Sequence, residues 1–275
     1  MFYLNYVWRL LATAFSFLLF GLVGLLMPWV TGPWIHLRYS NRTERRLRAR
    51  HALHRLFRVF IRIWRFLGVI DWEIHHIQRL ERPGLLVLAN HPSLFDVVFL
   101  MAFIPVPDCI VKERLFGNPV MRGFLRLTGF LANSNPVGLI EDARASLGAG
   151  SSLVIFPEGT RTDPNGTLHF QRGAANIALR TQTPVTPVVI VCEPLTLTKK
   201  HRWYHIPASK PKVTLRVGED LPLTPYQHQP VAQGVRTLTR YLQDYFTEEL
   251  SRHEHNSPRQ PGAGIEAVDY HHPRP

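Results

Sequence analysis

The clearest chemical signal in the sequence is a histidine followed five residues later by an aspartate. The apolar run 85–89 is followed by Asn90 and His91, and Asp96 follows Pro92 within the same motif, NHPSLFD. A residue before proline favours extended backbone, so we expect His91 just outside a helix whose first turn holds Asp96. From that position the carboxylate can hold one imidazole nitrogen and leave the other nitrogen as a general base.

This pair needs no nucleophile from the protein, because a histidine base can deprotonate the hydroxyl of a substrate for direct attack. Ser93 lies between the two residues and is an alternative nucleophile. Taken alone, the pair also fits a histidine and an aspartate that merely cap a helix. A second motif is therefore needed to choose between these interpretations.

The second motif is FPEGTR at residues 156–161, at the end of another apolar run that starts at Ser152. Glu158 can hold hydroxyl groups of a substrate, and Gly159 allows the backbone to approach a ligand closely. Arg161 offers a planar fork of donors that suits a phosphate group. Such a loop after a buried strand is typical of a ligand site at the carboxyl edge of an α/β sheet.

Alternating elements must position these two motifs. Strand-like runs are predicted at 85–89, 109–111, 130–132, 152–156, 185–192 and 213–217, and helices at 92–103, 119–127, 137–147, 174–180 and 233–250. This alternation predicts an α/β fold with a mostly parallel central sheet flanked by helices. The fold is preceded by N-terminal segments that we expect to associate with a membrane.

The first of these N-terminal segments is the stretch 10–30, which contains no charged residue and is long enough to cross a bilayer as a helix. Only Arg9 precedes it, whereas five arginines follow it between residues 38 and 48. This bias predicts that the following domain lies on the cytoplasmic face, at the inner membrane if the source is bacterial. A cleaved signal peptide and, because of Gly21, Gly24 and Pro28, an interfacial hairpin are the alternatives.

The second N-terminal segment, 45–68, is a basic amphipathic helix candidate. Residues 38–65 contain ten arginines and one glutamate, so this region holds +9 of the formal net charge of +12. Leu53, Phe57 and Trp64 recur at helical spacing opposite the arginines, which is typical of a helix on an anionic membrane surface. A helix packed on a protein core is the alternative, and the neighbouring apolar stretch argues against nucleic acid as the partner.

These patterns divide the chain into membrane-anchoring helices at 1–70, an α/β domain at 71–251 and a disordered tail at 252–275. The tail contains His253, His255, His271 and His272, but it has no cysteine and no ordered framework, so we expect no metal site there. Cys109 and Cys192 lie in apolar runs and are expected to be buried free thiols.

Together, the HPSLFD and FPEGTR motifs resemble those of the glycerolipid acyltransferase family, whose best-known members are 1-acyl-glycerol-3-phosphate acyltransferases. The likeness covers about residues 85–191 and the N-terminal helices, with the two motifs in the family's order. It implies O-acyl transfer from acyl-CoA or acyl carrier protein to the hydroxyl of a lysolipid at a membrane surface, without a cofactor or a metal.

The resemblance also implies a role for individual residues. His91 would be the general base and Asp96 the acid that orients it. Acceptor binding would fall to Lys112, Glu158, Gly159, Thr160 and Arg161. Pro187 matches a proline of the family's fourth block and is expected to shape the wall of the pocket.

One position departs from the family pattern. Members often carry an arginine where this chain has Asn133 or Ser134, and that arginine helps to bind the acceptor phosphate. The acceptor is therefore either a lysophosphatidate-like lipid, with Arg122, Arg126 or Arg144 compensating, or a lipid without a terminal phosphate, such as a lyso-amino-lipid. The same residues also fit a thioesterase or a membrane-binding protein without catalytic activity.

Overall fold

A computed structural model describes residues 2–163 and 165–256 of the chain. The helices are α1 (Phe2–Arg38), α2 (Arg42–Phe66), α3 (Phe95–Phe103), α4 (Pro119–Thr128), α5 (Pro136–Gly148), α6 (Arg172–Thr181), α7 (Thr224–Gln227) and α8 (Val231–Asn256). The strands are β1 (Asp71–His75), β2 (Leu86–Ala89), β3 (Pro107–Val111), β4 (Leu131–Ala132), β5 (Ser152–Ile155), β6 (Val185–Glu193) and β7 (Lys212–Val217).

The strands form one seven-stranded sheet with the order β1-β7-β6-β2-β5-β3-β4. All neighbouring pairs are parallel except β6 and β7, which are antiparallel. Strands β2 to β6 therefore all point the same way, and their carboxyl ends meet at one edge of the sheet. This mixed but mostly parallel α/β sheet confirms the predicted fold class.

Two buried apolar clusters cover the faces of the sheet. One face packs against α1 to α4, and the other packs against α5, α6 and α8. Strands β2 and β5 are buried along their whole length because helices cover both sides. Such double burial explains why these strands read as continuous apolar runs instead of alternating ones.

Helix α1 is continuous to Arg38, although Pro28 and Pro33 lie inside it. One stripe of this helix is buried against the rest of the chain, and the opposite stripe is apolar and exposed. Arg9, Ala12, Thr13, Ser16, Met27 and Ile35 form the buried stripe. Leu4, Val7, Leu11, Phe15, Leu18, Leu22, Leu25 and Trp29 form the exposed stripe, which we call the outer stripe. By length and composition α1 qualifies as a membrane-spanning helix.

Helix α2 runs back along α1 and covers α3. Its apolar residues Leu53, Phe57 and Trp64 are buried within the cluster that includes α3. Its other side carries exposed arginines, namely Arg48, Arg55, Arg58, Arg62 and Arg65. The apolar side of α2 therefore packs on a protein core, and its basic side is exposed, with Arg48 paired to Glu44 and Arg65 paired to Asp71.

A buried ion pair fixes α2 to the sheet. Arg50 lies 2.7 Å from the Asp108 carboxylate, and both side chains are almost wholly buried. The remaining donors of Arg50 reach Thr128 O, Gly129 O, Ser146 Oγ and Ser151 Oγ at 2.7–3.0 Å. Every guanidinium nitrogen therefore has an acceptor, which is the condition under which a buried charge is tolerated.

The structure differs from the sequence predictions in three places. The helix predicted from Pro92 begins at Phe95, because the chain first turns at Ser93, whose amide donates to the Asp96 carboxylate. Strand β1 was not predicted, although its half-buried sequence DWEIH alternates polar and apolar residues, with Trp72 and Ile74 on the face toward the core. The tail predicted from residue 252 is helical as far as Asn256, and its remainder, 257–275, lies outside the described residues.

Candidate active site

Three parallel strands deliver the candidate site to one edge of the sheet. His91 follows β2, Glu158 follows the neighbouring strand β5, and Thr196 follows β6 on the other side of β2. The segments after β2 and β5 are joined by a hydrogen bond, in which the Thr162 amide donates to His91 O at 2.7 Å. Sequence motifs 67 residues apart are thereby brought into direct contact.

His91 and Asp96 form the hydrogen-bonded pair expected from their spacing. Nδ1 of His91 lies 2.9 Å from Oδ2 of Asp96, and the imidazole stacks on the Phe156 ring at 4.3 Å between centroids. With Nδ1–H donated to the carboxylate, Nε2 carries a free lone pair. Among the described residues, none hydrogen-bonds Nε2, so this nitrogen is available to a ligand.

Asp96 is fully buried, and its surroundings act on its charge in opposite directions. Burial raises the pKa of Asp96, while hydrogen bonds from His91 and from the Ser93 amide oppose that rise. Oδ2 receives both hydrogen bonds, the one from the Ser93 amide at 2.7 Å. Oδ1 is also buried and accepts no hydrogen bond from the described residues. The carboxylate is thus aimed at the imidazole and shielded from solvent.

Glu158 supports the backbone at His91. Its Oε1 atom accepts from the His91 amide at 3.0 Å and from the Thr162 hydroxyl at 2.8 Å. Burial raises the pKa of Glu158, and these two hydrogen bonds oppose the rise. The carboxylate therefore ties the FPEGTR loop to the histidine, a positioning role that the sequence did not reveal.

Arg161 is anchored by backbone carbonyls in the segment after β6. One guanidinium nitrogen donates to Leu197 O at 2.7 Å and to Thr198 O at 2.9 Å.

Ser93 donates its hydroxyl to Thr196 O at 2.9 Å and is fully buried. This hydrogen bond and the burial of the hydroxyl disfavour Ser93 as a nucleophile.

The remaining predicted site residues are less closely joined to His91. Gly159 and Thr160 lie on the loop after β5, with Gly159 at a φ of +66° that favours glycine. Lys112 is exposed at the carboxyl end of β3, two strands from β2 in the sheet. Pro187 lies within β6 and opposite Leu88 of β2, so it belongs to the sheet.

The position that departs from the family pattern also has a defined contact. Asn133 follows β4, and its Oδ1 accepts from the Glu113 amide at 3.1 Å. Of the arginines that might compensate, Arg144 donates to Arg180 O, at the C-terminal end of α6 and away from the sheet's carboxyl edge. Arg122 and Arg126 are exposed on α4.

Several contacts of the site were not predictable from residue types. Phe156 and Thr162 flank the Pro-Glu-Gly loop, and neither an aromatic ring nor a threonine hydroxyl by itself predicts a contact with His91 or Glu158. Asn90 exchanges two hydrogen bonds of 2.7 Å with the backbone of Ile190, which fixes β2 to β6 directly before His91. The position of Asn90 next to His91 was the only sequence feature that pointed to a role for it. Within 2–163 and 165–256, no cluster of three His, Cys, Asp or Glu residues could hold a metal ion.

Comparisons with known proteins agree with this architecture. Residues 71–191 match the Acyltransferase family model. The human 1-acyl-sn-glycerol-3-phosphate acyltransferase beta is 28% identical over 219 residues, which cover 75% of this chain and 76% of the human protein. The 1-acyl-sn-glycerol-3-phosphate acyltransferase of Helicobacter pylori is 30% identical over 133 residues, covering 46% of this chain and 56% of that protein.

A solved structure shares the fold. The crystal structure of the 1-acyl-sn-glycerophosphate acyltransferase PlsC from Thermotoga maritima matches with a TM-score of 0.69 and 20% identity, covering 93% of this chain and all of that one. The fold and the paired motifs define an α/β acyltransferase. Residues 71–191 form an acyltransferase domain, and the chain is an O-acyltransferase that resembles the glycerolipid acyltransferases.

Proposed function

We propose that the chain transfers a fatty acyl group from acyl-CoA or acyl carrier protein to the free hydroxyl of 1-acyl-glycerol-3-phosphate or a similar lysophospholipid. The observation that carries this proposal is the orientation of His91 by Asp96, with a 2.9 Å hydrogen bond at Nδ1 and with Nε2 left free. The names of the relatives supply the substrate class, and the histidine geometry suits it because an alcohol acceptor must lose a proton as it attacks.

In the proposed mechanism, Nε2 of His91 accepts the proton of the acceptor hydroxyl while that oxygen attacks the thioester carbonyl carbon. The new C–O bond forms, the C–S bond breaks, and the imidazolium returns its proton to the thiolate that leaves. Asp96 stabilises the imidazolium that forms in between. A positioned base of this kind contributes about 10²–10⁴-fold, and holding donor and acceptor together supplies more.

Glu158, Gly159, Thr160 and Arg161 would bind the acceptor beside His91, with Lys112 two strands away. Glu158 already accepts two hydrogen bonds at Oε1, so only Oε2 is left for a substrate hydroxyl. The Arg161 nitrogen that contacts the carbonyls of the 194–211 segment is held in place. Its remaining N–H groups suit a phosphate.

Membrane association is suggested by α1, and we propose that this helix lies in the plane of the cytoplasmic leaflet. Helix α1 is about 55 Å long at 1.5 Å per residue, whereas a hydrocarbon core is about 30 Å thick. Phe20, near its middle, contacts Phe57 and Phe60 of α2. An upright α1 would therefore carry the exposed Arg58 of α2 toward the bilayer centre, at a high cost in free energy.

A second acceptor class is favoured by one observation. Asn133, where the family often has an arginine, uses its side-chain oxygen to cap the turn that starts at Glu113. It provides no positive charge for a phosphate, so the acceptor in this interpretation is a lyso-amino-lipid or another hydroxylated lipid without a terminal phosphate.

Purified full-length protein, labelled acyl-CoA or acyl carrier protein, and a panel of lysolipids would separate these two acceptor classes. Preferred acylation of lysophosphatidate supports the first, and equal or better acylation of a lyso-amino-lipid supports the second. Thioester hydrolysis that is insensitive to any acceptor would instead identify a thioesterase. Membrane binding without turnover of any donor would contradict acyl transfer to either acceptor class.

A further inference from the structure

The segment 194–211, which connects β6 to β7, is a basic excursion from the sheet edge that carries the candidate site. It contains three lysines and one arginine and no acidic residue. Both ends are fixed by ion pairs, from Lys199 to Asp163 at 3.9 Å and from Lys210 to Asp71 at 3.2 Å. Between these anchors, residues 200–205 are all exposed.

The tip of this excursion, residues 200–205, combines aromatic and cationic side chains at the surface. Trp203 is 46% exposed and Tyr204 is 38% exposed, although both are large rings. The rings pack edge to face at 5.6 Å, and Arg202 donates to the Tyr204 hydroxyl at 2.7 Å. Exposed rings next to cations are the combination that proteins place at the level of lipid headgroups.

The tip lies beside α1. The Trp203 ring is 6.3 Å from the Phe17 ring between centroids, and Arg9 donates to the carbonyls of Pro207 and Ala208. The aromatic and basic tip is therefore adjacent to the helix whose outer stripe presents only apolar residues.

The same excursion also contacts the candidate site. The carbonyls of Thr196, Leu197 and Thr198 hold the Ser93 hydroxyl and the Arg161 guanidinium. One short segment thus joins the exposed tip to the residues beside His91.

We propose that residues 200–205 dock on an anionic phospholipid bilayer. Trp203 and Tyr204 lie at the headgroup level, and Lys200 and Arg202 contact lipid phosphates. A cation near such a surface contributes roughly fivefold in affinity. The docked tip holds the mouth of the site against the leaflet that contains the lipid acceptor. The lipid nature of that acceptor rests on the proposed function, whereas the docking itself does not.

Vesicle binding tests the docking in the full-length His91→Ala variant, which avoids any change of the lipids by turnover. Arg202→Ala/Tyr204→Ala is compared with Arg240→Ala/Tyr241→Ala, a matched pair on α8 at the opposite face of the sheet, where Tyr241 is 39% exposed. On vesicles of phosphatidylcholine and phosphatidylglycerol in equal parts, the tip pair should bind roughly fivefold more weakly than the α8 pair. Equal binding of the two pairs, or the same deficit on pure phosphatidylcholine, would overturn the proposal.

A label provides a second readout that does not depend on loss of affinity. An environment-sensitive dye on Tyr204→Cys should shift to shorter wavelength on the mixed vesicles, and the same dye on Tyr241→Cys should not. Cys109 and Cys192 are buried, so labelling is confined to the introduced thiol. An unshifted dye at position 204 would overturn the docking. Neither measurement involves acyl transfer, so absence of turnover in the unmutated protein would overturn only the proposed function.

Discussion

Asp96 lies behind His91, fully buried, and accepts the Nδ1–H of the imidazole at 2.9 Å. The same carboxylate oxygen also accepts the Ser93 amide at 2.7 Å, so its position does not depend on the histidine alone. The imidazole is in turn stacked on Phe156. Its orientation is thereby fixed on two sides before any substrate arrives, which is the condition for efficient general-base catalysis.

Loss of the histidine, or of the carboxylate that orients it, should strongly lower turnover without unfolding the protein. We expect His91→Ala and Asp96→Asn each to lower the rate of acyl transfer by about 10²–10⁴-fold. His228→Ala, which changes an exposed histidine outside the site, is the control. Steady-state rates are compared with thermal unfolding of each variant. A His91→Ala protein that retains full activity would remove this mechanism.

Glu158 should contribute to stability as well as to the site. In Glu158→Ala the His91 amide loses its carboxylate acceptor, which we expect to lower the free energy of unfolding by about 1–3 kcal/mol. Glu158→Gln keeps an oxygen at the same place and should retain most of that stability. Urea unfolding of both variants near pH 7 provides the measurement, and equal losses in the two would contradict the proposed hydrogen-bond role.

The raised pKa of Glu158 also predicts a pH dependence with a definite sign. Above the unfolded-state pKa of about 4.3, the unfolded chain releases a proton that the native state still holds. The free energy of unfolding therefore falls as the pH rises, until the native pKa has been passed. Glu158→Gln lacks this loss, so its stability relative to the unmodified protein should increase from about pH 4 upward. A difference that is constant or that shrinks with pH would refute this sign.

Removing one partner of the buried ion pair between α2 and the sheet should lower the free energy of unfolding more than removing both partners. Arg50→Met leaves the Asp108 charge buried and uncompensated, and we expect a loss of about 3–5 kcal/mol. Arg50→Met/Asp108→Leu removes both charges and should recover much of it. A double-mutant cycle by urea unfolding measures the coupling. Additive losses would show that the two residues do not support each other.

The sequence was most informative where function and local structure share the same few residues. His91 and Glu158 each follow a short apolar run, and parallel strands place such positions at one edge. Their meeting could therefore be expected before the structure was known. The anchoring of Arg161 could not, because its partners are the carbonyls of Leu197 and Thr198, and every residue type carries a carbonyl.

The burial of α2 was ambiguous for a different physical reason. A helix side that covers a protein core and one that enters lipid have the same apolar periodicity, so Leu53, Phe57 and Trp64 fitted both. Arg50 is one of ten arginines in the same region, and the sequence alone did not distinguish it from the others. Only the tertiary partner Asp108 distinguishes it from the exposed ones.

The packing of α2 on α3 affects how this enzyme can be handled in the laboratory. A shortened chain that begins at Asp71 would lose Trp64, whose ring lies 4.6 Å from Phe95 in the first turn of α3. It would also leave Asp108 without its arginine. We therefore expect a fragment without the first two helices to lose contacts that support α3 and β3, so the full chain is the form to purify.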